Sequence, residues 1–211
     1  MQDAALTSSA ERRGLWLRRL LTWHWISSAL ALCGMLLFAI TGITLNNAGL
    51  ISATPAIQTL ETQLPDELIE QLKTQQTAAT LETPATLHQW LAETHNIRLA
   101  NADAEWSDQE LYFSLPRPGG DAWLSIDLDS GDMVYELTDR GWIAWLNDLH
   151  KGRNTGTVWL WFIDIFAGIC VAFCLTGFGV LALHARERTS VWPVTGLGLV
   201  IPVLLAVLFL H

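Results

Sequence analysis

The sequence predicts a membrane protein with three transmembrane α-helices and a small α+β domain between the first and the second of them. Hydrophobic residues make up 51% of the 211 residues and charged residues only 16%, which is a poor fit to an ordinary soluble domain. Three apolar stretches, at residues 26–45, 158–183 and 191–210, each have the length of about 20 residues that crosses a bilayer core. The region between the first two stretches carries the signals of short helices and strands.

Arginines mark one side of the membrane. Four of them, Arg12, Arg13, Arg18 and Arg19, precede the first apolar stretch, and two more, Arg186 and Arg188, lie between the second and the third. The positive-inside rule places both segments in the cytoplasm, so we expect the long middle region and the C-terminus on the periplasmic side of a bacterial inner membrane. The first stretch is too long for a secretory signal and lacks a clear cleavage site, which indicates an uncleaved anchor.

The chain divides into five segments. Residues 1–46 form the N-terminus and first transmembrane helix, 47–140 an exported domain, 141–156 an interfacial helix and loop, 157–185 the second transmembrane helix and 190–211 the third. In the exported domain the pattern predicts a helix at 64–76 and a second helix with an N-cap at Thr83-Pro84. An antiparallel meander is predicted at 111–115, 122–127 and 133–137, and an amphipathic helix along the membrane surface at 141–150.

The charge of the chain excludes some classes of function. The net charge is -9, and residues 46–153 hold 17 of the 21 acidic residues but only 6 of the 12 basic ones. An acidic chain is unsuited to binding nucleic acid, which needs clustered Lys and Arg. No phosphate-binding loop, no Ser/His/Asp constellation and no clustered metal ligands are recognisable, so the sequence predicts no catalytic residues.

Four histidines, His24, His150, His184 and His211, lie at the ends of the predicted spans. The topology places His24 and His184 at the cytoplasmic face and His150 and His211 at the other, separated by about 28 Å if residues 192–211 are helical. Histidines from two helices can supply both axial ligands of a haem iron, so we predict two b-type haems, one near each face. The alternatives are that boundary histidines bond to head groups or water, and that His211 is an incidental tail residue.

Several neighbours of these histidines fit the haem hypothesis. Small residues share a helix face with His24 and with His184, namely Ser28, Ala31, Gly42, Thr176 and Gly177, although small residues also serve close helix packing. Basic residues could bind the haem propionates: Arg18, Arg19, Arg186 and Arg188 on the cytoplasmic side, and Lys151 and Arg153 on the periplasmic side. Alternatively, the arginines serve only to set the orientation of the helices in the membrane. Asp164 lies within a span and is either functional or a helix cap that pairs with Arg153. We interpret His88 and His95 as surface residues.

Three motifs resemble the PepSY-associated transmembrane helix family. The run from Leu149 to Gly156, with Trp159, Asp164 and Thr176-Gly177 after it, is similar to the start and end of a span in that family. The sequence Trp23-His24-Trp25 with residues 39–46 resembles the family's first span. Residues 123–127 with Ser130-Gly131 resemble the closing hairpin of a PepSY domain.

The resemblance implies a function. Relatives include inner-membrane reductases that use b-type haem to pass electrons toward the periplasm for ferric siderophore reduction, and some occur beside periplasmic flavoproteins. It therefore implies an electron-transfer protein with a ferric chelate or flavoprotein as acceptor and a cytoplasmic or quinone donor. Here Asn47 stands where several relatives have a histidine, and relatives usually have a fourth span. The alternative is a non-redox membrane scaffold whose PepSY-like domain binds or inhibits a periplasmic partner.

Overall fold

The computed structural model describes residues 2–51, 54–77, 82–99, 102–184 and 190–210, with side chains from residue 12 onward. The chain forms two compact units. The helical unit comprises residues 1–37 and 161–211, and the mixed unit comprises residues 38–160. Three sequence predictions, those for His211, Arg186 and Arg188, fall outside the described residues.

The secondary structure follows the order of the predicted segments. The α-helices of the described residues are α1 (Gln2–Asn46), α2 (Asp66–Thr77), α3 (Ala85–His95), α4 (Trp142–Lys151), α5 (Thr157–His184) and α6 (Val191–Phe209). The strands are β1 (Ala56–Gln63), β2 (Ala104–Trp106), β3 (Glu110–Ser114), β4 (Gly120–Asp127) and β5 (Asp132–Asp139). The protein thus has a small antiparallel sheet in the chain between its first and second long helices, as predicted.

Three helices are long and apolar enough to cross a membrane. They are the part of α1 from Arg12 to Asn46, the whole of α5 and the whole of α6. A continuous apolar sequence favours helix here because a lipid-facing backbone must satisfy its polar groups within the segment. The prediction of three transmembrane helices is confirmed, and the side of the membrane on which each end lies stays a prediction.

The sheet has the order β1-β5-β4-β3-β2, and all neighbouring strands are antiparallel. Strands occur at all three predicted positions, whereas β1 and β2 at the two edges were not predicted. Alternate residues of β4, among them Ala122, Leu124 and Ile126, are buried. Leu124 and Ile126 pack in one core with apolar residues of α2 and α3, such as Leu72 and Leu91.

The two domain helices differ from the prediction in detail. Helix α2 begins after Pro65, close to the expected position. Helix α3 has Pro84 at its N-cap with no side-chain cap, so the predicted cap is wrong: the Thr83 hydroxyl instead lies 2.7 Å from His88 Nε2. His88 and His95, interpreted as surface residues, are each half-buried and half-exposed. His95 packs edge-on against Trp90, with 4.9 Å between ring centroids.

Helix α4 is the predicted amphipathic helix, one residue further along the chain. Trp142 and Trp145 are exposed on one side, and Asn147 and Asp148 are buried on another. Exposed indole rings beside buried polar groups are unusual in water but natural for a helix at a membrane surface. The helix therefore turns its polar side towards protein.

Candidate functional site

The helical unit contains a histidine bound to a threonine on another helix. His24 of α1 is half-buried, and its Nδ1 lies 3.2 Å from Thr176 Oγ1 of α5. The imidazole stacks on Phe173, with ring centroids 4.8 Å apart and an interplanar angle of 16°. Gly177 makes room for the ring, since a Cβ there would lie 3.1 Å from His24 Cε1.

The Thr176 hydroxyl determines which nitrogen of His24 carries the proton. Its oxygen lies 2.7 Å from the carbonyl oxygen of Ala172 and 3.0 Å from that of Phe173, so its one hydrogen is donated within α5. The hydroxyl oxygen must then accept from Nδ1–H of His24. In the neutral imidazole this leaves Nε2 with a free lone pair, which is the form that binds a metal.

The mixed unit contains a second contact of the same kind. His150 of α4 has its Nδ1 2.8 Å from Thr41 Oγ1 of α1. The Thr41 hydroxyl lies 3.2 Å from the carbonyl oxygen of Phe38, whose ring is beside the imidazole at a centroid distance of 5.1 Å. Gly42 follows Thr41 and lies against the imidazole, as Gly177 does in the first contact. As in the first contact, Nδ1 is the ring nitrogen that meets the threonine hydroxyl, and Nε2 is the nitrogen left over.

His184, at the end of α5, has the same hydrogen-bonding pattern without a second helix. Its Nδ1 lies 2.9 Å from the carbonyl oxygen of Val180 in the preceding turn. A carbonyl oxygen accepts only, so Nδ1 must be the donor and Nε2 carries the lone pair. All three boundary histidines among the described residues therefore present Nε2 as the available ligand atom.

The structure does not bring His24 and His184 together. The His24 ring lies against Thr176 and Gly177, which precede His184 by eight and seven residues. Two helical turns correspond to about 10 Å along α5. The proposed partner of His150, His211, is outside the described residues. The pairing of the four histidines thus stays a prediction.

Small residues in the helical unit serve close packing. A Cβ on Gly34 would collide with the ring of Phe166, and one on Gly179 would lie 3.2 Å from Leu20. Ser27 and Ala31 of α1 are buried. These small residues therefore serve close helix packing, which was one of the two roles expected for such residues. At Gly177 the space is filled by the His24 ring.

The predicted propionate-binding residues have different surroundings. Arg19 lines a shallow cavity of about 120 Å³ with Arg12, Leu15 and Trp16. Lys151 is exposed. Arg153 is exposed, and its Nε lies 3.2 Å from Asp148 Oδ1.

Asp148 is the residue that sequence reasoning missed. Its buried carboxylate accepts from the main-chain N–H of Gly119 at 2.9 Å and from Arg140 at 3.3 Å, as well as from Arg153. Next to it, Asn147 Oδ1 accepts the hydroxyl of Thr44 at 2.9 Å. These contacts fix α4, and with it His150, to the sheet and to α1. The only sequence signal was a pair of polar residues on the apolar helix 141–150.

Metal binding by other side chains has no support in the described residues. No group of three or more His, Cys, Asp or Glu side chains lies close enough there to hold a metal ion. Asp164 is exposed on α5, and its side chain forms no hydrogen bond or ion pair with another described residue. The histidines at the helix ends are therefore the strongest candidates for a functional site.

The fold defines a class: membrane proteins of three apolar helices with an α+β domain in the chain between the first two. The family model described as Putative PepSY_TM-like matches residues 15–211. Since the match covers most of the chain, the protein belongs to that family, and the resemblance noted from the sequence is confirmed. Comparisons with curated proteins and with solved structures give no match.

Proposed function

We propose that this protein is a b-type cytochrome of the bacterial inner membrane that passes electrons across the bilayer to a periplasmic acceptor. The observation that carries the proposal is the shared hydrogen-bonding pattern of His24, His150 and His184, each with Nδ1 within 3.2 Å of an oxygen atom. Axial histidines of metal centres characteristically donate their other N–H to such an oxygen, which fixes the ring and raises its basicity. The donor set therefore fits haem.

The roles of the residues follow from this assignment. Haem supplies one-electron redox chemistry when it is bound. His24 and His184 would hold one haem and His150 and His211 the other, through Nε2 in each case. Thr176 and Thr41 would orient the first histidine of each pair, and Arg19, Arg186, Lys151 and Arg153 are the cations suited to propionates. The acceptor would be a ferric chelate or a flavoprotein and the donor a quinone or a cytoplasmic protein. The protein would then be a haem-dependent oxidoreductase or its electron-transfer subunit.

The test is the absorption spectrum of the purified full chain from haem-replete cells. We expect a Soret band and split visible bands on reduction, and a colourless preparation would overturn the proposal. His24→Ala and His150→Ala should each remove about half of the haem if each pair holds one. His88→Ala is the matched control, because this half-buried histidine lies in α3 and should leave the haem content unchanged.

A second candidate function is a non-redox scaffold whose α+β domain binds or inhibits a partner. It is favoured by the packing of the helical unit, where Phe166 fills the space at Gly34 and His24 fills the space at Gly177. In this case the His–Thr hydrogen bonds serve only to join helices. Such a protein would fold and bind its partner without haem, so the same spectrum distinguishes the two functions.

A further inference from the structure

Strand β1 is a long edge of the sheet. It has eight residues, Ala56–Gln63, is exposed over most of its length and, among the described strands, pairs with β5 alone. The opposite edge, β2, has only three residues. Proteins commonly protect long edge strands with prolines, bulges or several charges, because an open edge pairs with other chains. The register of β1 with β5 is unbroken, and Glu61 is its one charged residue.

The register shows which main-chain groups of β1 face outward. The N–H of Leu64 donates to the carbonyl oxygen of Gly131 at 2.9 Å, which continues the pairing of Gln63 with Asp132. Along an antiparallel strand, residues alternate between those whose N–H and C=O face the neighbour and those whose groups face away. Ile57, Thr59 and Glu61 therefore direct theirs away from β5. No main-chain hydrogen bond joins these groups to another described residue.

A groove lies beside this edge. It is a cavity of about 220 Å³ lined by Gln58, Thr59 and Leu60 of β1, Tyr135 of β5, and His95 and Ile97 at the end of α3. Among the described residues, His95 Nε2 is buried and has no hydrogen-bond partner. The groove thus has the edge strand on one side and the end of α3 on the other.

We propose that β1 and this groove bind an extended, basic polypeptide segment as an additional strand. The segment would bond to the outward N–H and C=O groups of Ile57, Thr59 and Glu61, in the mode by which sheet edges capture peptides between a strand and a helix. Every second side chain of the segment would lie over the groove. This activity is independent of haem.

The negative charge of the exported domain favours a basic partner. Residues 46–153 carry 17 acidic and 6 basic residues, and Glu61 is exposed on the edge strand itself. A basic segment is attracted by this field, whereas a second copy of the domain would bring the same negative charge to the contact. The partner is therefore a different chain rich in Lys or Arg.

The experiment is a selection of displayed random dodecapeptides on the full chain in lipid nanodiscs, followed by fluorescence polarisation with the enriched peptide. We expect enriched sequences to be basic, rich in β-branched residues and free of proline. Thr59→Pro should weaken binding at least tenfold, because it removes one outward N–H, while the control Thr59→Val should bind within twofold of the unaltered protein. His95→Ala should weaken binding several-fold.

Two further measurements cover failure of a variant to fold. The first uses two versions of the enriched peptide, N-methylated at the odd-numbered or at the even-numbered amides, with the protein unaltered. One version should lose binding and the other should keep it, because only every second amide of an added strand faces β1. The Thr59 amide should become protected from hydrogen exchange on binding. No enrichment, acidic peptides, equal binding by Thr59→Pro and Thr59→Val, or dimerisation of the chain in place of peptide binding would each overturn the proposal. None of these readouts depends on haem.

Discussion

The two histidine contacts have the same parts but different supports. In each, Nδ1 of the imidazole bonds to a threonine hydroxyl, a phenylalanine ring lies alongside, and glycine follows the threonine. His24 belongs to a long apolar helix and is held by helix packing. His150 belongs to the short helix α4, which Asp148 and Asn147 fasten through charged and polar contacts.

The same contact geometry is thus held by two different kinds of interaction. The position of His24 depends on the fit between helix surfaces, which changes with the volume of side chains. The position of His150 depends on a buried carboxylate whose partners come from distant parts of the chain. Substitutions should therefore disturb one contact and leave the other intact.

The largest effect should follow from Asp148→Ala. It removes the acceptor of Gly119 N–H and of two arginines, and we expect a loss of about 2 kcal/mol in the stability of the mixed unit. Hydrogen exchange of the sheet amides measures this loss, and NMR signals of the His150 ring should change while those of His24 stay. Arg117→Ala is the control, since the Arg117–Asp139 pair is exposed and 4.0 Å long and should contribute under about 0.5 kcal/mol.

A smaller effect, in the helical unit, should follow from Gly34→Ala. The added Cβ meets the Phe166 ring, so we expect a cost of about 1–2 kcal/mol from overpacking. Thermal unfolding in detergent, followed by circular dichroism, measures it. Gly168→Ala on α5 meets open space and should be neutral or slightly stabilising. Equal costs for the two variants would contradict the packing role of Gly34.

Thr176→Val tests the hydrogen bond without changing volume. Loss of the acceptor should cost about 1 kcal/mol and let His24 populate both tautomers, which ¹⁵N chemical shifts of the ring detect. Thr41→Val should leave the His150 ring closer to its original position, because α4 remains fastened by Asp148. Thr195→Val is the control, since that hydroxyl donates to the carbonyl oxygen of Val191 in its own helix. An unchanged His24 tautomer would refute the role of Thr176.

The smallest expected effect is on stability at acid pH and arises in the turn between β4 and β5. The backbone N–H of Ser130, its hydroxyl and the N–H of Asp129 hold the pKa of Asp127 below its ordinary value. A lowered pKa in the folded state contributes stability above the unfolded pKa of about 3.9, and this contribution is lost as the pH falls through the folded pKa. Asp127→Asn should flatten the acid limb of a stability curve measured from pH 2 to 6, and Asp129→Asn should not.

The sequence predicted those elements whose pattern is local. The three spans, the three central strands and α2 to α4 each carry their own periodicity or turn residues. Strand β1 was missed because an edge strand is exposed on most of its residues and so lacks the alternation of a half-buried one. Strand β2, with three residues, is too short for a pattern.

The candidate site was predicted in its residues more than in its contacts. The pattern marked Thr176 and Gly177 as neighbours of His184, and the structure packs His24 on them. Asp148 could not be identified because its partner Gly119 lies 29 positions away and nothing local marks that contact. Long-range partners depend on how the helices and strands assemble, which a single sequence does not encode in any short window.

Gly141 and Gly156 are positions at which the effects of natural variants would be easily misinterpreted. They have φ values of +85° and +77°, and a Cβ at either would meet no atom within 4 Å. Side-chain crowding therefore places no constraint on these two positions, while backbone conformation constrains both. In a survey of variants they would look like exposed sites that nevertheless reject alanine, and a method that equates intolerance with burial or with function would misassign them. Their intolerance of alanine would reflect only the positive φ angle that the backbone adopts before and after α4, the helix that carries His150.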